Sequence, residues 1–207
     1  MNTKAIQRKL ESVPIATIIL IAVNVLVFLV TDLMNMTGSY YLIEHGSLGY
    51  DPILNRHELH RLLTHMFLHA DEGHLLNNML MLAVLGYYME EYLGHLRFII
   101  LYFCTGFLAA CTSMVYNMMH MNLTPSIGAS GAIFGLMGSY VFLVWHLRQQ
   151  QQQVDPRRLL LAVAISFYGG VNSQGIDMMA HAGGFLSGMP CAALLNLTRN
   201  RKGRKKK

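Results

Sequence analysis

The sequence predicts an all-α polytopic membrane protein, and its composition and its apolar stretches are the observations that predict it. Of the 207 residues, 53% are hydrophobic and 13% are charged, a balance that is unusual for a soluble domain. A membrane-spanning helix needs about 20 mostly apolar residues, and six stretches approach this length. They are residues 14–30, 75–92, 98–119, 129–147, 159–170 and 177–197.

The distribution of lysines and arginines predicts the orientation of these stretches, because cytoplasmic loops of membrane proteins are enriched in basic residues. Basic residues precede the first stretch, lie between the fourth and fifth, and follow the sixth: Lys4, Arg8, Lys9, Arg148, Arg157, Arg158 and those of 199–207. Six spans with both termini in the cytoplasm satisfy this pattern. We therefore expect a cytoplasmic basic leader at 1–13, one six-helix membrane domain at 14–197 and a basic cytoplasmic tail at 198–207.

Two segments outside the spans carry expectations of their own. The basic tail is expected to lie near anionic lipid headgroups rather than to bind nucleic acid. The long first loop, residues 31–73, mixes apolar and charged residues. We expect this loop to be partly folded and to lie at the membrane interface.

Polar side chains inside the apolar stretches mark a candidate site, because ionisable groups at membrane depth are costly and usually functional. His181, Gly184 and Gly188 share one face of the sixth stretch, and Ser130 is the second residue of the fourth, directly before Gly131. Small residues allow two helices in a membrane to approach closely. The packing of these two faces could bring Ser130 and His181 together, although the glycines alone also fit helix packing with no site.

A serine beside a histidine predicts nucleophilic chemistry. A neutral imidazole can remove the proton of a hydroxyl, and acyl transfer then needs donors aimed at the developing oxyanion. His74, Asn78 and the backbone N–H of Ser130 are donors of the right type. No carboxylate lies in the apolar sequence around Ser130 or His181, and the nearest is Asp177. A Ser130–His181 dyad is therefore expected rather than a triad.

The histidines of the sequence also suggest two other chemistries, metal binding and coupled transport. His65 and His69 are four residues apart and could bind zinc, but HELH at 57–60 places its histidines three apart, whereas the zinc-protease motif needs four. A proton- or metal-coupled transporter would show inverted repeats, and none is evident. No metal and no other cofactor is expected.

These residues together resemble the rhomboid family of intramembrane serine proteases. GASG at 128–131 resembles its G-x-S-G motif, AHAGG at 180–184 its A-H-x-x-G helix, and HLLNN at 74–78 its H-x-x-x-N motif. The resemblance implies that Ser130 is the nucleophile, His181 the general base, and His74 and Asn78 the oxyanion stabilisers. It also implies supporting roles for Arg61, His65, His69, Glu90, Gly128, Gly131, Phe134, Gly184 and Gly188.

The sequence departs from the family pattern at two positions. His60 precedes Arg61 where the family has tryptophan, and Phe134 lies four residues after the nucleophile where the family often has tyrosine. Phe134 keeps a ring that can stack on His181 but lacks the hydroxyl. Neither departure removes the nucleophile or the base.

The resemblance implies a six-helix rhomboid-like bundle whose active site opens to the extracytoplasmic side, with the fifth helix as a lateral gate and residues 171–175 as a cap. It implies an endopeptidase that cleaves transmembrane protein substrates in or near their membrane segment through an acyl-enzyme. The alternative is a catalytically inert relative that binds membrane client proteins. In either case we expect a multi-pass protein of a bacterial plasma (inner) membrane.

Overall fold

The protein is built from α-helices. A computed structural model describes residues 13–149 and 176–204, so the predicted fifth span at 159–170 and the expected cap at 171–175 lie outside the described residues. Within the described ranges there is no β-strand, and one isolated bridge joins Leu48 to Ser126. The helices are α1 (Ile15–Met36), α2 (Tyr41–Gly46), α3 (Tyr50–Arg56), α4 (Arg61–Thr64), α5 (Glu72–Leu93), α6 (His95–Met119), α7 (Ser130–Gln149) and α8 (Met178–Arg204).

Several of these helices can cross a membrane. Helices α1 and α6 and the Met178–Leu197 part of α8 are long and apolar enough to do so, and the Ser130–His146 part of α7 is a shorter apolar helix. Helix α5 has 22 residues, but His74, Asn78 and Glu90 interrupt its apolar sequence. The prediction of an all-α polytopic membrane fold is confirmed for the described part of the chain.

Helix ends differ from the predicted span boundaries where polar groups find partners. Helix α1 continues past the predicted end at residue 30, since the Thr31 hydroxyl donates to the Val27 carbonyl 2.8 Å away. Helix α5 begins at Glu72 rather than at residue 75, because the Asp71 side chain accepts the backbone N–H of His74 at 2.8 Å. A capping oxygen of this kind satisfies a donor that the first turn of a helix leaves free.

Helix α7 lies at the centre of the bundle, with all ten residues of 131–140 buried. A helix that is buried all round must be apolar all round, and the sequence of α7 meets this requirement. The main hydrophobic core consists mostly of side chains of α5, α6 and α7. They include Leu82, Leu85, Phe98, Leu101, Tyr102, Leu136 and Met137.

Glycines bring α7 and α8 into backbone contact. A Cβ atom on Gly184 would lie 2.1 Å from the carbonyl oxygen of Gly131, and one on Gly188 would lie 2.1 Å from that of Gly135. Both distances are far below a van der Waals contact, so only glycine fits at these two positions. The predicted packing of the two glycine faces is therefore present in the structure.

The start of α1 and the ends of α5 and α8 lie at one end of the bundle. The buried carboxylate of Glu90 accepts hydrogen bonds from the backbone N–H groups of Ala16 and Thr17, at 2.8 and 2.7 Å. A negative charge at a helix N-terminus is favourable because the helix dipole is positive there. At the same end, the Tyr92 hydroxyl donates to the Asn196 side chain at 2.9 Å.

The first loop is folded around Arg61. This side chain is 2% exposed, donates to the Ser47 carbonyl at 2.8 Å and pairs with Glu58. Large apolar side chains on the loop face outward, a surface suited to the membrane interface; they include Tyr40, Tyr41, Leu54, Leu59 and Leu63. A small apolar cluster attaches the loop to α6 and consists of Leu48, Ile53, Leu62, Ala110 and Met114.

Candidate active site

Ser130 and His181 lie within hydrogen-bonding distance of each other. The Nε2 atom of His181 is 2.8 Å from the Oγ atom of Ser130, although the two residues are 51 positions apart in sequence. Ser130 is partly exposed, and His181 is 9% exposed. The structure therefore brings the two predicted residues together at a sheltered but accessible position.

Local packing fixes the geometry of this pair. Ser130 is the first residue of α7, and Gly131, directly after it, forms the close backbone contact with Gly184, which lies one turn after His181. The Phe134 ring stacks on the imidazole of His181, with ring centroids 4.1 Å apart and planes inclined by 10°. The helix contact sets the separation of the two side chains, and the stacked ring limits rotation of the imidazole.

Gly128 lies between the side chains of Ser130 and His74. Gly128 has a φ angle of +123°, and a Cβ atom there would lie 2.8 Å from His74 Nε2 and 3.7 Å from Ser130 Oγ. The absence of a side chain at this position keeps the space between the two atoms free. The backbone N–H of Ala70 donates to His74 Nδ1 at 3.5 Å, so the neutral ring carries its proton on Nε2, which faces the space.

Asn78 is buried one turn after His74 on α5, with 4% of its surface exposed. Its Nδ2 atom donates to the His74 carbonyl at 3.0 Å. One of the two amide N–H groups is therefore engaged with the backbone of its own helix. The second N–H is the donor that Asn78 can direct elsewhere.

Two histidines of the first loop support the segment before Ser130. The His65 carbonyl accepts the backbone N–H of Gly128 at 2.8 Å, and His65 Nδ1 donates to the Arg61 carbonyl at 2.8 Å. The His69 ring meets the His74 ring edge to face, with centroids 5.0 Å apart. Burial lowers the pKa values of both His65 and His69 to about 4, so both rings are neutral at neutral pH.

The other supporting residues lie farther from the dyad. Arg61 organises the first loop, and Glu90 holds the start of α1 at the end of α5, 16 residues after His74 in sequence. Both residues therefore contribute to the fold that surrounds the pair rather than to the pair itself.

Sequence reasoning missed one contact near the dyad, between α6 and the start of α8. The Asp177 carboxylate accepts the backbone N–H of Ala180 at 2.9 Å and the hydroxyl of Ser113. Ser113 lies inside an apolar helix 64 positions from Asp177, and no periodicity or motif links the two. Among the described residues, this carboxylate hydrogen-bonds to Ser113 and to the backbone of α8 rather than to the His181 ring.

The assembled groups can support acyl transfer. Ser130 supplies a hydroxyl, and His181 supplies a nitrogen at the distance needed to take its proton. Since Ser130 begins α7, its own N–H has no partner inside the helix and lies at the positive end of the helix dipole. Together with the Nε2–H of His74, this gives two donors beside the nucleophile.

Comparison with known proteins identifies relatives. The family described as "Rhomboid domain" matches residues 56–197. The chain is 34% identical over 154 residues to RHOMBOID-like protein 1 of Arabidopsis thaliana, covering 73% of this chain and 38% of that protein. It is 29% identical over 198 residues to Rhomboid protease GluP of Bacillus subtilis, covering 92% of this chain and 38% of that protein.

A third relative has a name that points away from catalysis. The chain is 30% identical over 150 residues to Inactive RHOMBOID-like protein 8 of Arabidopsis thaliana, covering 70% of this chain and 41% of that protein. The chain thus spans about two-fifths of the length of each of these three relatives.

Proposed function

The chain belongs to the rhomboid family of integral membrane proteins, and from this premise we propose that it is an intramembrane serine endopeptidase that uses Ser130 and His181. One observation carries the proposal: the 2.8 Å separation of Ser130 Oγ and His181 Nε2. A hydroxyl in this position is ready to give its proton to the imidazole as it attacks a carbonyl carbon.

The acylation step follows from this geometry. Ser130 Oγ attacks the scissile carbonyl carbon, and His181 Nε2 takes the hydroxyl proton. The negative charge that develops on the carbonyl oxygen lies in the space beside Gly128, where the Ser130 N–H and the His74 Nε2–H can donate to it. The tetrahedral intermediate then collapses, the C–N bond breaks, and His181 delivers its proton to the leaving amine.

Deacylation uses the same groups in the reverse sense. A water molecule attacks the ester carbonyl of the acyl-enzyme while His181 accepts one of its protons. Collapse of the second tetrahedral intermediate breaks the bond to Ser130 Oγ, which recovers its proton from His181. The products are a carboxylic acid and an amine, and the free enzyme is restored.

Asn78 is proposed as a secondary donor. Its engaged N–H fixes the orientation of the amide, and its second N–H can support His74 when the oxyanion forms. Substitution of Asn78 by alanine should therefore lower turnover less than substitution of His74 by alanine.

The position of the site supports a membrane protein as the substrate. The start of α1 and the end of α8 lie at the end of the bundle that holds Glu90 and Asn196, whereas the dyad lies at the starts of α7 and α8. The basic residues of 1–13 and 198–207 favour a cytoplasmic position for the first end by the positive-inside rule. The dyad then faces the extracytoplasmic side, and we propose a transmembrane segment as its substrate.

The alternative is that the protein is catalytically inert and binds membrane client proteins. The name of one relative, Inactive RHOMBOID-like protein 8, favours this alternative. Cleavage of a transmembrane substrate with a helix-destabilised segment, by the purified protein in detergent, separates the two functions. We expect cleavage by the wild type and none by Ser130→Ala or His181→Ala. As a matched control, Ser187→Ala removes a hydroxyl that donates within its own helix, to the Gly184 carbonyl, and should retain cleavage. Cleavage that persists in either dyad variant would overturn the proposal.

A further inference from the structure

A chain of polar side chains joins α6 to both sides of the dyad. Ser113 donates to the Asp177 carboxylate, and Asn117 Nδ2 donates to Ser113 Oγ at 3.2 Å. Asn122 Nδ2 donates to Asn117 Oδ1 at 3.0 Å, and the N–H of Thr124 donates to Asn122 Oδ1 at 3.1 Å. This series of hydrogen bonds therefore runs from the segment that leads to Ser130, across the end of α6, to the residue directly before α8.

Burial shows that the Ser113–Asp177 bond, at the α8 end of this series, matters to the structure. Ser113 is 0% exposed and lies in a helix long and apolar enough to span a membrane. A buried hydroxyl in such surroundings needs a partner, and Asp177 supplies it. The bond to a carboxylate is charge-assisted, which makes it stronger than a bond between neutral groups.

Asp177 also caps α8. Its Oδ1 atom accepts the N–H of Ala180 at 2.9 Å, the contact that an N-cap residue makes with the first turn of a helix. His181 follows four residues later, on the same face of the helix. A single carboxylate thus fixes where α8 begins and ties that point to a neighbouring helix.

We propose that Asp177, held by Ser113, is a positioning residue for His181, an inference that rests on the proposed function. On the C-terminal side of His181, helix α8 is held against α7 at Gly184 and Gly188. On the N-terminal side of His181, the Asp177–Ser113 bond holds α8 against α6. With both points fixed, the turn that carries His181 cannot tilt, so Nε2 stays within reach of Ser130 Oγ.

The inference predicts a loss of chemistry without a matching loss of substrate binding. A displacement of about 1 Å between catalytic groups can lower a rate about 100-fold, and a loosened helix start samples part of such a displacement. We expect about tenfold slower labelling of Ser130 by a fluorophosphonate probe in Asp177→Ala and about threefold to tenfold slower labelling in Ser113→Ala. The kcat for a transmembrane substrate should fall by the same factors, and KM should stay within about twofold.

The two substitutions should not act independently, because they remove the same bond. The double variant should lose no more activity than Asp177→Ala alone, whereas independent effects would multiply. Asp177→Asn keeps a capping oxygen and an amide that can donate to Ser113 Oγ, so it should retain at least about a third of the wild-type rate. Ser187→Ala is the matched control on α8 and should label at the wild-type rate.

The experiment is the measurement of these labelling rates, together with kcat, KM and the thermal unfolding temperature, on the full chain in detergent. Slow labelling at unchanged KM, with non-additive losses and rescue by Asp177→Asn, supports the inference. Multiplicative losses, wild-type rates in Ser113→Ala, or losses that follow the unfolding temperature alone would overturn it while leaving the proposed function standing. If the wild type is neither labelled nor active, the proposed function fails, and this inference fails with it.

Discussion

Substitution of Gly184 by alanine tests whether helix packing sets the dyad distance. The new Cβ atom would lie 2.1 Å from the Gly131 carbonyl oxygen, whereas real Cβ atoms essentially never come within 3.0 Å of another heavy atom. Helices α7 and α8 must therefore separate by about 1 Å, because a packed interior has no other space to give. The Ser130–His181 separation of 2.8 Å would then exceed hydrogen-bonding range. We expect activity to fall about 100-fold and the free energy of unfolding to fall by about 1–3 kcal/mol.

Two assays on the purified protein measure these effects: the rate of fluorophosphonate labelling and the thermal unfolding temperature. Ala182→Ser is the matched control, because it adds one atom on the exposed face of the same helix turn and should change neither quantity. Wild-type labelling and cleavage by Gly184→Ala would refute the reasoning, since they would show that the glycine contact does not determine the geometry of the dyad.

Three further substitutions and a pH dependence test other parts of the structure. His74→Ala should lower kcat about 100-fold or more, because it removes one oxyanion donor. Gly128→Ala should cause a loss of similar size, since its Cβ atom would fill the space beside His74 and its φ angle of +123° disfavours any side chain. Glu90→Ala should lower the free energy of unfolding by about 3 kcal/mol, because it leaves buried donors at the start of α1 without an acceptor. Stability should fall as the pH is lowered from 6.5 towards 4, by up to about 3 kcal/mol for each of His65 and His69, whose folded pKa values of about 4 lie below the ordinary value.

The sign of the pH effect follows from proton binding. Between pH 6.5 and 4 the unfolded chain binds protons at these two histidines that the folded chain does not, so acid favours unfolding. Unfolding measured against pH, for the wild type and for His65→Gln and His69→Gln, checks this. The variants should show a shallower decline, and an equal decline in all three proteins would contradict the assignment.

The other predictions have their own controls. Glu91→Ala removes the neighbouring carboxylate, which is exposed, and should leave the unfolding temperature unchanged; an equal loss in both glutamate variants would disprove the specific role of Glu90. Asn78→Ala should lower kcat less than His74→Ala does. The reverse order would assign the main donor to Asn78.

The sequence contained enough information for the helices that carry the dyad. The spacing of Gly184 and Gly188 from His181, and of Gly131 from Ser130, identified two faces without bulk, and steric close approach is a local property of such faces. The structure shows the backbone contact at these glycines. The catalytic roles of Ser130 and His181 stay predictions until activity is measured.

Other features depend on contacts that sequence patterns do not encode. The extension of α1 to Met36 reflects a threonine hydroxyl that is satisfied within its own helix, which a count of apolar residues does not register. The turn of the Asn78 amide towards the His74 carbonyl is a rotamer choice set by neighbours. The Ser113–Asp177 bond joins residues 64 positions apart, and only the packing of α6 against α8 brings them together.

The most direct test of the central claim is to locate a fluorophosphonate adduct in the intact protein by mass spectrometry. The proposed dyad predicts one adduct, on the peptide that contains Ser130, and no adduct in Ser130→Ala or His181→Ala. An adduct that persists in Ser130→Ala, or a folded wild type that remains unmodified, would contradict the assignment of Ser130 as an activated nucleophile.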